Sequence, residues 1–371
     1  MEVIRILEEK VVGFDAEWLD AEANEFWRQA GGICLTHEEY RATEQGKAVK
    51  DEPLYTIEEF PSENLPPVPW PEVQTTTFRP LEGVKLLDLT RAIAGPTIAR
   101  LAALFGATVV RVSNMELPDL GIVLFESNLG KRDAHLNLKT EEGRTALREL
   151  IQDADVVLDG YRPGVLERLG FGPTYVHEIA KRRGRGIVYA RENCYGWKGP
   201  WKHRSGWQQI SDAVTGIGWL FGRMWGRDEP VMPFLPNSDF QTGIVGMHWD
   251  YERARPKEQK GRELSCLDLA EPTEYLSDIF GHAVPRYTAE FAREVAGDAA
   301  IPLISSLPKV APELFQVKNF RTTKADLGVA DENMTFLGPA VSYDTTELRY
   351  DSGSCMRGTR KPEWPAERQG T

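Results

Sequence analysis

Apolar positions along this chain follow two rhythms. Short apolar runs alternate with stretches whose apolar residues recur every third or fourth position, the patterns of buried strands and amphipathic helices. "VKLLDLT" from Val84 reads as a strand, and "GPTIARLAALFG" as a helix with Pro96 at its start and Gly106 as its stop. "ATVVRV" is rich in β-branched residues and predicts the next strand, so Val84 to Val112 forms a βαβ unit. The alternation continues. "TEEGRTALRELIQDA" sets Ala146, Leu147, Leu150 and Ile151 on one helix face. "DVVLDG" and "GRGIVYA" read as strands, and "RPGVLERLG" between them as a helix closed by Gly170. Strands alternating with helices predict an α/β fold, a Rossmann-like, doubly wound parallel sheet covered on both faces.

Around this block the pattern changes. Residues 1–60 mix charge with helical spacing, as at Leu19, Ala23, Phe26 and Trp27. Residues 61–81 include "PSENLPPVPWPEV", whose five prolines predict a stiff linker. The large domain is expected over 82–270. Residues 271–371 hold one helical stretch, "TAEFAREVAG", and then an end from Asp344 with little periodicity, expected as an extended tail.

Composition narrows the classes. The 371 residues suffice for a large domain plus a smaller part, and 41% hydrophobic with 27% charged residues is ordinary for a globular protein. A net charge of −12 argues against a general nucleic-acid binder. No stretch approaches the ~20 apolar residues of a membrane span. "MEVIRILEEK" lacks a signal peptide's pattern, and the four cysteines, Cys34, Cys194, Cys266 and Cys355, are widely spaced. They read as free thiols in a reducing compartment, so cytoplasm is the expected location.

Candidate chemistry is sparse. The first strand–helix turn reads "TRAIAGP", without the glycine pattern of a dinucleotide site. Its Gly95-Pro96 either only starts a helix or presents backbone N–H groups to an anion or carbonyl. Six histidines without paired spacing point to no metal. Basic residues gather at Lys131, Arg132, Lys139, Arg162 and Arg168. "WKGPWKHRSGW" interleaves Trp197, Trp201 and Trp207 with Lys198, Lys202 and Arg204, a mixture suited to an adenine ring and its phosphates. Asp239 is the one carboxylate in "PVMPFLPNSDFQTGIVGMHW". It reads either as the N-cap of a helix starting at Phe240 or as a group used by chemistry.

The order of five motifs resembles the family III CoA-transferases, which include formyl-CoA transferase, carnitine CoA-transferase and α-methylacyl-CoA racemase. They are "LEGVKLLDLTRAIAGPTIARLAALFGATVVRV", "SNLGKRDAHLNLKTEEGR", "DADVVLDGYRPGVLERLGFGP", "YGWKGPWKHRSGWQQISDAVTG" and "SDFQTG", spanning about 82–250. Residues 20–55 resemble the end of another copy, so the chain resembles the later part of a tandem member. The resemblance implies a Rossmann-like large domain, a small and here reduced second domain, and two chains interlocked as a homodimer. It implies CoA carried between carboxylic acids without a metal, with Asp239 of Asp239-Phe240-Gln241-Thr242-Gly243 as nucleophile. It places Ala94, Lys139, Tyr161 and Arg168 at the CoA. The racemase "GHD" aligns with Gly206-Trp207-Gln208, which disfavours racemisation. Ile93 replaces a glutamine of formyl-CoA transferases, and Asn114 replaces an arginine that meets the nucleotide. These two changes leave a rival reading, a degenerate member that binds CoA or plays a structural part without catalysis.

Overall fold

The computed structural model describes residues 2–59, 79–233, 236–254, 265–270, 320–325, 333–339 and 346–365. A seven-stranded sheet contains β1 (Tyr55–Glu59), β2 (Lys85–Leu89), β3 (Thr108–Ser113), β4 (Lys131–His135), β5 (Val156–Asp159), β6 (Val188–Asn193) and β7 (Ser265–Ala270). Their spatial order is β1-β7-β6-β5-β2-β3-β4. β4-β3-β2-β5-β6 pair in parallel, while β1 runs antiparallel to β7. The five parallel strands thus form the doubly wound α/β sheet expected from the alternation.

Neighbouring residues of each strand serve opposite faces, because the side-chain period of a strand is two. Leu86, Val109, Val156 and Leu158 pack with Ile98, Ala99 and Ala102 of helix Ala94–Leu104. Leu87, Val110 and Val157 pack on the other face with Leu147, Leu150 and Ile151 of helix Glu141–Asp153 and Ile179 of helix Pro173–Arg183. Each such buried Leu, Ile or Val side chain contributes roughly 1.5–3 kcal/mol.

Sequence pattern alone does not predict β4. Its sequence, KRDAH, reads as surface charge, yet Lys131 and Asp133 are fully buried. Arg111 Nη1 meets Asp133 Oδ2 at 2.5 Å, and Lys131 Nζ meets Asp88 Oδ2 at 2.8 Å, so each charge is paired across strands. Strand β8 (Phe320–Lys324) pairs antiparallel with β9 (Asn333–Leu337). Residues 346–365 hold no helix, and their backbone touches β4 at a parallel bridge between Ala134 and Arg360. The helix expected in "TAEFAREVAG" lies outside the described residues.

The chain divides into two compact units. The sheet belongs to Pro53–Glu192, Asp239–Leu269 and Ile304–Thr371; the other unit comprises Met1–Glu52, Asn193–Ser238 and Ala270–Leu303. Segment 1–60 therefore contributes to both, helices to one and β1 to the other. In the second unit Tyr40, Tyr195 and Val214 form a small core. There the "WKGPWKHR" stretch is consumed by structure and departs from the adenine-platform expectation. Arg204 pairs with Asp20 at 2.9 Å and Glu25 at 3.1 Å and lies 4.9 Å over the Trp201 ring; Lys198 pairs with Glu52 at 2.6 Å.

Candidate active site

Strand order reverses at β2. The chain leaves β2 towards β3 and β4, then returns to pair β5 on its other side, so a crevice opens beyond the carboxyl ends of β2 and β5. Two loops border it, Thr90 to Ile93 after β2 and Gly160 to Gly164 after β5, with Leu89 and Asp159 in register at the strand ends. Ala92 takes φ +76, a left-handed conformation that costs a non-glycine residue energy and persists only where its surroundings hold it.

The holding contacts are visible. Asp88 Oδ1 accepts from the Thr90 N–H at 3.0 Å and the Thr90 hydroxyl at 2.5 Å. Asp88 Oδ2 accepts from Lys131, whose ammonium also donates to the Pro96 carbonyl at 2.8 Å. Helix Ala94–Leu104 starts there. Its N-cap, Ile93, provides no side-chain acceptor; Pro96 has no N–H and Thr97 donates its own to the Ile93 carbonyl at 2.9 Å, so it is the Ala94 and Gly95 N–H groups that can face a ligand oxygen. A Cβ at Gly95 or at Gly160 would sit 2.8 Å from Glu192 Oε1, so both glycines are needed for the close approach of the loops.

Asp239 lies in the first turn of helix Asn237–Ala254 and is 8% exposed. The helix begins two residues before Asp239, so Asp239 is not the N-cap of a helix starting at Phe240. A carboxylate in a first turn is still favoured by the helix dipole. Gly243, one turn further along the same face, abuts Thr97 so closely that a Cβ would collide with its side chain and come within 3.2 Å of the Ala94 carbonyl. The face carrying Asp239 is therefore turned to the first turn of helix Ala94–Leu104. Just before Asp239, the Ser238 hydroxyl donates at 2.8 Å to the buried carboxylate of Asp212, which burial pushes up to about 6.

The four residues expected at CoA all follow strand carboxyl ends. Ala94 lies beyond β2, and Tyr161 beyond β5, on either side of the crevice; Tyr161 donates its N–H to Asp159 at 2.8 Å. Burial pushes Asp159 up to about 7, against the pull of that hydrogen bond and of the one from Tyr189. Arg168 ends the short helix Val165–Arg168 and is exposed. Lys139, also exposed, follows β4, two strands or about 10 Å from β2. Ala94 and Tyr161 thus meet at the crevice, whereas Lys139 and Arg168 stand further along the same edge. Sequence reasoning misses Asp88, Asp159 and Glu192, and reads Lys131 only as one of a basic cluster. An aspartate inside an otherwise apolar strand, as in "LLDLT" and "VVLDG", is the available signal.

Residues 81–262 match CoA-transferase family III. The chain belongs to that family. Acetyl-coenzyme A transferase nodX of Hypoxylon pulicicidum is 38% identical to it, over 97% of this chain and 63% of that protein. An acyl-CoA transferase of Gibberella moniliformis is 33% identical over 86% of this chain and 58% of its own length. This family III chain therefore spans less than two thirds of these two relatives. Human succinyl-CoA:glutarate CoA-transferase is 33% identical over 56% of this chain and half of its own. Among solved structures, a hypothetical protein from Mycobacterium tuberculosis gives a TM-score of 0.54 at 17% identity, over 76% of this chain and 98% of that one. A CAIB/BAIF family protein from Brucella suis gives 0.51 at 18%, over 76% and 97%. At such identities the likeness is one of fold alone. No helix among the described residues is long and apolar enough to cross a membrane.

Proposed function

We propose that this chain carries the active centre of an acyl-CoA:carboxylate CoA-transferase, with Asp239 as nucleophile. The observation that carries the proposal is the placement of a nearly buried carboxylate on the helix face turned to the uncapped start of helix Ala94–Leu104. A carboxylate in water is a weak nucleophile; partial desolvation and fixed aim raise its reactivity. One Asp239 oxygen attacks the thioester carbonyl of an acyl-CoA, and CoA leaves as thiolate, giving a mixed anhydride. The thiolate then attacks the Asp239 carbonyl and releases the donor acid as carboxylate, leaving an aspartyl-CoA thioester. An acceptor carboxylate runs the two steps in reverse. The exchange is nearly balanced in energy, so positioning and oxyanion stabilisation by first-turn N–H groups must lower the barrier.

CoA would run along the strand carboxyl ends, its thiol end by Ala94 and Tyr161 and its phosphates towards Arg168 and Lys139. Gln208, at the racemase aspartate position, cannot exchange a proton, which leaves racemisation without its acid–base pair. The names of the relatives support carboxylic acids of the acetyl and succinyl type as donors. The working protein is proposed as a homodimer in the cytoplasm.

The test uses the full chain with acetyl-CoA and with succinyl-CoA. Intact-mass spectrometry should show a CoA adduct that hydroxylamine discharges at Asp239 and at no other carboxylate. Asp239→Asn, which keeps shape and helix, should lose adduct and turnover by several powers of ten while melting as the parent does. An Asp239→Asn protein that exchanges CoA at the parent rate would end the aspartyl mechanism, whereas a parent that shows neither adduct nor exchange would leave the rival reading, a CoA-binding or structural member without catalysis.

A further inference from the structure

The period of its strand brings Glu192 to the crevice. Ala190, two residues earlier in β6, packs with Ile98, Ala99 and Ala102 of helix Ala94–Leu104. Residues two apart share a strand face, so Glu192 belongs to that face too, one step nearer the carboxyl edge where the helix begins. The glycines beside it agree. A Cβ at Gly95 would lie 2.8 Å from Glu192 Oε1 and 2.6 Å from Thr90 Cγ2. One at Gly160 would lie 2.8 Å from the same oxygen and 3.0 Å from Thr90 Cβ. Space between the loops after β2 and β5 is therefore already filled, by the half-buried Glu192 and by the Thr90 side chain.

In an α-helix the Cα–Cβ bond leans towards the N-terminus, and the first N–H groups face the same way. Glu192 Oε1, lying against the Cβ position of Gly95, thus stands on the side of Gly95 that its N–H faces. That N–H is one of the two that can meet the oxygen of a bound thioester. We propose that Glu192 is a specificity-determining residue, whose side chain closes the floor of the crevice and restricts the acyl group to short chains. The inference rests on the placement of the thioester proposed above. The limit comes from the volume that the side chain fills, and it does not depend on what else the carboxylate bonds. An acetyl group has no chain to run into this floor. An octanoyl chain would need the space that Glu192 holds between the two glycines, and packed side chains yield such space only at a cost.

Calorimetry on the full chain would compare non-reacting ketone analogues of acetyl-CoA and octanoyl-CoA, in which a methylene separates sulfur from carbonyl. The parent should bind the short analogue about tenfold or more tighter than the long one. Glu192→Ala should lower that ratio by about tenfold or more. Glu192→Asp, one methylene shorter, should lower it by less, and Glu192→Gln, equal in size, should keep it. Transfer rates from acetyl-CoA and octanoyl-CoA should shift in parallel. A Glu192 that only complements the helix dipole would behave otherwise: Ala and Gln would both lower the melting temperature and weaken the two analogues alike. An unchanged ratio in Glu192→Ala and Glu192→Asp, or a parent that prefers the long analogue, overturns the inference. A ratio that moves as far in Glu192→Gln as in Glu192→Ala reports charge instead of size and overturns it too. Chain-length selection by Glu192 in a protein that forms no Asp239 adduct would overturn the transferase reading and leave this limit standing. A parent that binds neither analogue overturns both.

Discussion

Lys131 and Asp88 form an ion pair with no exposed side-chain surface on either partner, Nζ 2.8 Å from Oδ2. The pair also grips the turn after β2 from both sides, through Thr90 on the aspartate and the Pro96 carbonyl on the lysine. Lys131→Met leaves a buried carboxylate without its counter-charge and is expected to cost about 3–5 kcal/mol. Lys131→Met combined with Asp88→Leu should recover most of that loss, since no charge is stranded. The double variant should still bind CoA weakly, because the turn that presents Ala94 has lost its anchor. Urea midpoints together with CoA titration check both halves; a double variant as unstable as the single one refutes the pairing account.

Asp159 predicts a pH dependence. Its ordinary value is 3.8 and burial holds it at about 7 in the folded chain. Between these values the folded state keeps a proton that the unfolded state has released. Its contribution to stability is therefore full below about pH 4 and is lost as pH rises through 7. Asp159→Asn removes the titration and can keep the hydrogen bonds to Tyr161 N–H and the Tyr189 hydroxyl. Relative to the parent, the variant should be more stable at pH 8 than at pH 5. A stability difference equal at the two pH values would show that Asp159 ionises normally.

Arg168 makes no ion pair among the described residues and stands exposed on the crevice edge. A charge-assisted contact to a CoA phosphate contributes roughly 1.5–3 kcal/mol. Arg168→Ala should weaken CoA binding by about ten- to a hundred-fold at unchanged melting temperature. Calorimetry giving equal affinities would move the nucleotide elsewhere.

Assembly gives a fourth expectation. Trp18, Phe26 and Trp27 are 49, 69 and 65% exposed, close together in sequence. Exposed aromatic surface of this kind suits the homodimer proposed above. Light scattering at micromolar concentration should return a dimer mass, and replacing Phe26 and Trp27 with serine should shift it towards monomer; a parent that stays monomeric removes the expectation.

Local pattern is enough for β2, β3, β5 and the helix Glu141–Asp153, because apolar spacing reports which face of an element is buried. Asp239 with its Thr242-Gly243 is legible too, as a motif in a run poor in charge. β4 is not. KRDAH is buried only because its partners, Asp88 and Arg111, arrive from strands about 20 or 40 residues earlier, and no local rhythm encodes a pairing across that separation. The same holds for "WKGPWKHR", whose cations find Asp20, Glu25 and Glu52 far back in the chain. The residue proposed as nucleophile is written in the sequence. What turns it towards Ala94 is the contact of Gly243 with Thr97, made only when two helices remote in sequence pack on one sheet, since close packing is decided by shape in three dimensions.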